Sequence, residues 1–185
     1  MNPRSSFYQF FEHCIGNWIT ERTYHYLTHQ AVERSHTEFL IQPVTSDRKA
    51  QVLADNQYPS QPDLDSLPGY QLEFATVSEK GERVNQSLNM LFVPQQEEGE
   101  LVLGDYLRDR AYEEARPIVS HFRFDANHQE LLMTTPYTRV VSVDSITLVN
   151  PGLRIRKILN YLRPVAGEPL KDIGLVGFGV EQKQS

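Results

Sequence analysis

The sequence predicts a mainly β chain: an antiparallel barrel or sandwich of about ten strands, opened by an N-terminal helix and carrying one further short helix. Three observations predict it. Apolar residues recur at three-to-four spacing in a first segment near the N-terminus. After that segment the period changes to two, over short runs rich in Val, Thr, Tyr and Phe. Those runs follow one another without the strand–helix–strand alternation of a parallel sheet.

The first helix is expected over residues 5–17. Phe7, Phe10, Phe11, Cys14 and Ile15 make its apolar stripe, Ser5 or Ser6 can cap it, and Gly16 can stop it. Strands follow at 18–27 and 35–42. The second helix, 45–57, starts at a Thr45 or Ser46 cap and stops before Pro59. A loop with Pro59, Pro62, Pro68 and Gly69 leads out of it. The remaining strands are expected at 70–77, 84–93, 101–107, 118–124, 130–134, 138–143, 145–149, 153–159 and 174–181. Alternation is clean in two of them. Leu72, Phe74 and Thr76 share one face, and Phe122 and Phe124 oppose His121, Arg123 and Asp125. Turn residues such as Glu79-Lys80-Gly81 and Asn150-Pro151-Gly152 separate the runs. A barrel of about eight to ten strands has room inside for one small ligand, and the first helix could close one end.

Composition narrows the function. The 185 residues suit one domain, 1–185, large enough to fold without staples. A net charge of −6 argues against a dedicated nucleic-acid binder. No run approaches the roughly 18 apolar residues of a membrane span. Residues 1–11 do not read as a secretory signal. Cys14 is the single cysteine, so no intrachain disulfide or cysteine-built zinc site is expected, and a reducing cytoplasm is the simplest home. It reads as a small core residue rather than a nucleophile. His25 and His29 are four apart but lie near a strand, so no helical metal-ligand face forms and no metal is expected. The sequence carries no phosphate-binding or serine-hydrolase signature. Gly177-Phe178-Gly179-Val180-Glu181 reads as a strand with small residues.

Two strands are unusual. In 18–27, Trp18, Thr20, Arg22 and Tyr24 share one face, and Ile19, Glu21, Thr23 and His25 the other. Neither face is plainly apolar. Spacing alone favours an edge or half-solvated strand. The alternative is a barrel strand lining a polar cavity, with Arg22 and Trp18 placed for a large anionic, conjugated ligand. The second region is 137–157. Arg154 and Arg156, two apart, project from one strand face. Such a pair is commonly solvated or guards against aggregation; pointing inward, it could hold two carboxylates or line a cavity mouth. Residues 154–171 are locally basic, which could make a docking face for an acidic partner.

Together these regions resemble the S-type phycobiliprotein lyases, the chaperone-like bilin lyases of cyanobacteria and some algal plastids. The residues that carry the resemblance are a phenylalanine-rich first helix ending in Gly16-Asn17-Trp18, then Trp18-x-x-x-Arg22-Thr23-x-His25. Tyr112-x-Glu114, Thr135-x-Tyr137 and Asn150-Pro151-x-Leu153-Arg154-x-Arg156 follow. The resemblance implies a lipocalin-like antiparallel barrel that binds an open-chain tetrapyrrole. It also implies transfer of that bilin to a cysteine of a phycobiliprotein subunit through a thioether. By carry-over, Arg22 and Arg154 are the main functional arginines, with Trp18, His25, Tyr137 and Arg156 around them and Asp144 as the acid near the pyrrole nitrogens. The implied substrate is phycocyanobilin or phycoerythrobilin, with no tightly bound cofactor. The implied partner is the apo-phycobiliprotein subunit, in cyanobacterial cytoplasm or plastid stroma. A homodimer or a heterodimer with a paralogous lyase chain is also open, since an exposed edge strand could pair two subunits. The competing class is a carrier of a bilin, a fatty acid or another apolar acid without transfer activity, or the inactive half of a heteromeric lyase.

Overall fold

The computed structural model describes residues 2–109 and 118–185. Among these lie α1 (Pro3–Cys14), β1 (Gly16–Tyr26), β2 (Ala31–Pro43), α2 (Ser46–Asp55), β3 (Gly69–Ser78) and β4 (Arg83–Glu98). They continue with β5 (Leu101–Arg108), β6 (Ser120–Asp125), β7 (Glu130–Pro136), β8 (Val140–Asn150), β9 (Leu153–Leu162) and β10 (Ile173–Lys183). Each strand pairs antiparallel with the next, and β1 pairs with β10, so the ten strands close into a barrel. Of barrel and sandwich, the chain forms the barrel. Tyr112 and Glu114 lie outside the described residues. No helix among the described residues is long and apolar enough to cross a membrane.

Closure removes a sequence-based expectation. β1 is not an edge strand, because it hydrogen-bonds to β2 on one side and to β10 on the other. The described barrel therefore offers no free strand edge through which two subunits could pair. A second correction concerns residues 138–149, expected as two strands separated at Asp144. One strand, β8 (Val140–Asn150), instead runs through Asp144. An acid in mid-strand reads as a break, but here it points into the barrel and finds a cationic partner. A third concerns the first helix, which starts two residues early. The Asn2 side chain caps it, accepting from the Arg4 and Ser5 amides at 2.8 and 3.3 Å. Ser6 is instead buried and accepts from Gln129 at 2.7 Å. The second helix matches its expected cap, with Thr45 Oγ1 accepting from the Arg48 amide.

The two helices do different work. α1 plugs one end of the barrel with its phenylalanine stripe. The Phe7 ring stacks on Phe122 at 5.1 Å, Phe11 meets Phe92 at 4.5 Å, and Phe10 meets Phe124 at 5.3 Å. α2 lies on the outside. Its Val52 and Leu53 cover the outward-facing Leu91 and Val93 of β4 and Leu107 of β5. Period-two alternation thus gives β4 and β5 two apolar faces, one for the plug and one for α2. With α2 outside, the interior beyond the α1 plug stays hollow.

Phe7 is fully buried at the centre of this plug. Truncating a buried phenylalanine costs about 3–5 kcal/mol. Phe7→Ala should lose that much in urea unfolding monitored by far-UV circular dichroism. A loss under about 1 kcal/mol would show that α1 is not integral to the barrel.

Candidate functional site

The hollow is a cavity of about 1260 Å³ inside the barrel, floored by Phe10, Phe11 and Cys14 of α1. Inward-facing apolar residues such as Phe39, Leu88, Met133 and Ile146 make its walls. Set into those walls are Arg22, Arg108, Arg139, Arg154 and Arg156, against two acids, Glu33 and Asp144. A further acid, Glu181, lies fully buried behind Arg22 and Arg154.

Strand register builds the deepest part. Glu181 on β10 stands opposite Thr20 of β1 on one side and Arg154 of β9 on the other. Facing residues project to the same side of a sheet, so all three point inward. Arg154 donates from Nε and Nη2 to Glu181 Oε2 at 3.0 and 2.6 Å. Arg22 donates from Nη2 to Glu181 Oε1 at 3.1 Å. One carboxylate thus holds two guanidiniums. Burial alone would push the Glu181 carboxyl up. The charges of Arg154, Arg156 and Arg22, with the Arg154 hydrogen bond, outweigh it and hold the group below its ordinary range.

Beneath Arg154 lies Trp18. The guanidinium carbon sits 4.4 Å from the centre of the indole ring, and the indole N–H donates to the Cys14 carbonyl at 2.9 Å. Trp18 is therefore a support for Arg154, and one face of its ring is already covered. Two residues along β9, on the same face, Arg156 makes a two-pronged pair with Asp144. Its Nε lies 3.0 and 3.1 Å from the two carboxylate oxygens, and its Nη2 donates to Oδ2. Tyr137 lines the cavity farther out, its hydroxyl accepting from Arg108 Nη2 at 2.6 Å.

Of the residues singled out from sequence, Arg22, Arg154, Arg156, Asp144 and Tyr137 line this one cavity. Trp18 packs under it. His25 does not belong to the group: it stands exposed on the outer face of β1, as its odd spacing from Arg22 requires. Cys14 is buried, and burial pushes its thiol up, against the opposing pull of Arg154. It is ill suited to act as a nucleophile. Sequence reasoning missed Glu181, Arg108 and Arg139. For Glu181 a signal existed, since the alternation Gly177-x-Gly179-x-Glu181 puts an acid and two glycines on one strand face.

Fold and site define the class: a closed barrel whose cavity suits a large, mostly apolar ligand bearing negative charge. The comparisons with known proteins narrow that class. The CpeS-like protein family matches residues 6–184. A relative from Synechococcus sp. (strain JA-3-3Ab), "Chromophore lyase CpcS/CpeS 1", is 59% identical over 183 residues, covering 99% of both chains. A "Chromophore lyase CpcS/CpeS" from Thermosynechococcus vestitus is 26% identical over 151 residues, covering 80% of this chain and 79% of the relative. Among solved structures, the S-type phycobiliprotein lyase CPES from Guillardia theta has the same fold. Its TM-score is 0.76 at 18% identity, over 99% of this chain and 95% of that one. The chain belongs to the CpeS-like family.

The lowered carboxyl of Glu181 makes a pH prediction. A group whose folded pKa is depressed contributes stability that is complete above its unfolded value and is lost as pH falls through the folded one. The stability gap between wild type and Glu181→Gln, measured by urea unfolding, should therefore be constant from neutral pH down to the ordinary glutamate value of 4.5 and narrow only below it. A gap that begins to close above that value would contradict the lowered pKa.

Proposed function

We propose that the chain is a phycobiliprotein lyase that binds a bilin in the barrel cavity and attaches it through a thioether to a cysteine of a phycobiliprotein subunit. The observation that carries this reading is the pairing of a 1260 Å³ cavity with arginines, Arg22, Arg154 and Arg156 among them, that project into it from largely apolar walls. A bilin is a long, apolar tetrapyrrole with two propionates. Phycocyanobilin or phycoerythrobilin matches the cavity in chemistry: apolar walls for the rings, and guanidiniums for the carboxylates. The 59% identity to a named chromophore lyase supports the same assignment.

The chemistry follows from positioning. A bilin carrying an ethylidene group reacts when the acceptor thiol adds across that double bond. Sulfur bonds to the exocyclic carbon, the thiol proton ends on the adjacent ring carbon, and nothing else is consumed. Arg22 and Arg154 hold the propionates. Arg156 holds Asp144 in the cavity wall, where its carboxylate can accept from the pyrrole N–H groups and favour their protonated form. That protonation makes the ethylidene carbon more electrophilic. The acceptor supplies the thiolate, so the lyase needs no nucleophile of its own, in keeping with the buried Cys14. Most of the rate gain comes from holding the bilin extended and oriented.

The test is an absorption spectrum of the protein mixed with phycocyanobilin, before and after addition of an apo-phycobiliprotein subunit. A red-shifted, strengthened visible band followed by acid-stable chromophore on the acceptor is the expected result. Arg22→Ala and Arg154→Ala should each cut transfer by at least about tenfold, since removing one partner of a buried charged pair costs about 2–5 kcal/mol. Binding without transfer would make the chain a carrier, and an unchanged spectrum would overturn the bilin assignment.

A further inference from the structure

The inner face of β10 carries Gly177, Gly179 and Glu181 at strict alternation. The bilin-binding reading accounts for the arginines but not for this strand. Each of the three positions faces a cavity residue across the ladder. Gly177 stands opposite Tyr24, Gly179 opposite Arg22 and Arg156, and Glu181 opposite Arg154.

Neither glycine has a backbone conformation that requires glycine; what each supplies is space. A Cβ on Gly177 would lie 3.0 Å from the Tyr24 ring atoms Cδ1 and Cε1. A Cβ on Gly179 would lie 2.9 Å from Thr20 Oγ1 and 3.0 Å from Arg22 Cγ. The side chains of Tyr24 and Arg22 thus lie across β10 where any larger residue would displace them. Immediately beyond, Glu181 meets the end of Arg22 and the whole donor edge of Arg154. Arg22 is held at its stem by the Gly179 gap and at its tip by Glu181. Its Nε is buried and has no hydrogen-bond partner among the described residues.

We propose that Gly177, Gly179 and Glu181 form a seat on β10 that positions Arg22 and Arg154 for the carboxylates of the bilin. These are positioning residues, acting through the arginines. Glu181 does not attract the ligand; its charge opposes a carboxylate. Its contribution is to fix two long, otherwise mobile side chains before the ligand arrives, so that the propionates meet preset donors. This inference rests on the bilin-binding reading.

That division of labour sets the test. Free bilins coil, with weak visible and strong near-UV absorption; held extended, they reverse that ratio. Glu181→Gln removes the opposing charge and loosens the arginines together. The expected result is a bilin affinity within about threefold of wild type or tighter, with the visible to near-UV ratio of saturated protein roughly halved and transfer down at least about tenfold. A purely structural glutamate would lower the melting temperature and leave that ratio unchanged. A folded Glu181→Gln protein with wild-type ratio and transfer would overturn the proposal. If that variant does not fold, Gly179→Ala decides, since it keeps Glu181 and displaces Arg22. The same loss of ratio supports the seat, and an unchanged ratio overturns it. Wild-type protein that gives no spectral change with phycocyanobilin would overturn the functional reading, and this inference with it.

Discussion

A buried charge must be answered by another, and the interior of this barrel is arranged around one such answer. Glu181, with no exposed surface, accepts from Arg154 and Arg22, while Arg154 rests on the indole of Trp18. Strands from the two ends of the barrel's sequence must be in register for that contact to form: β1 with β9 and β10. The residues involved are separated by as many as 159 positions. Breaking one member leaves the others as uncompensated charges, which costs about 3–5 kcal/mol. The same contact ties the closure strand pair, β1 with β10, to the functional face of the cavity.

The helices complete what closure begins. α1 fills one end with phenylalanine and so fixes how deep a ligand can go. α2 takes the outward apolar face of β4 and β5, which leaves the interior free. The cavity is therefore a consequence of where the apolar residues were spent. Its charged part gathers on β1, β8, β9 and β10, where Arg22, Asp144, Arg154, Arg156 and Glu181 meet, with Arg108 and Tyr137 farther out. Such a surface suits a ligand that is apolar along its length and acidic at a few points.

Much of this was legible in the sequence. The phenylalanine stripe marked α1, and period-two runs marked nearly every strand, because burial on one face of a pleated strand forces alternation. What failed did so for local reasons. Asp144 looked like a break in β8 because its partner, Arg156, is a neighbour only after the sheet forms. The helix start was misplaced because both Asn2 and Ser5 are good caps, and only tertiary contact with Gln129 takes Ser6 away from the end. At the site, alternation correctly placed Arg22 on the face opposite His25, and the structure follows that parity rather than the family pattern that grouped them. Glu181 was passed over because a glutamate near a chain end between small residues resembles a solvated strand. On the same face Gly177 and Gly179 leave room for Tyr24 and Arg22, and Arg22 reaches across to Glu181.

The central claim is that carboxylate groups of a bilin are read by the cavity arginines. The most direct measurement compares the affinity of the wild-type protein for phycocyanobilin and for its dimethyl ester, which keeps the tetrapyrrole and removes both negative charges. A hydrogen bond to a charged group is worth about 1.5–3 kcal/mol. The free acid should therefore bind at least about tenfold more tightly than the ester. Equal affinity for the two would contradict the account, because the arginines would then have no part in recognition.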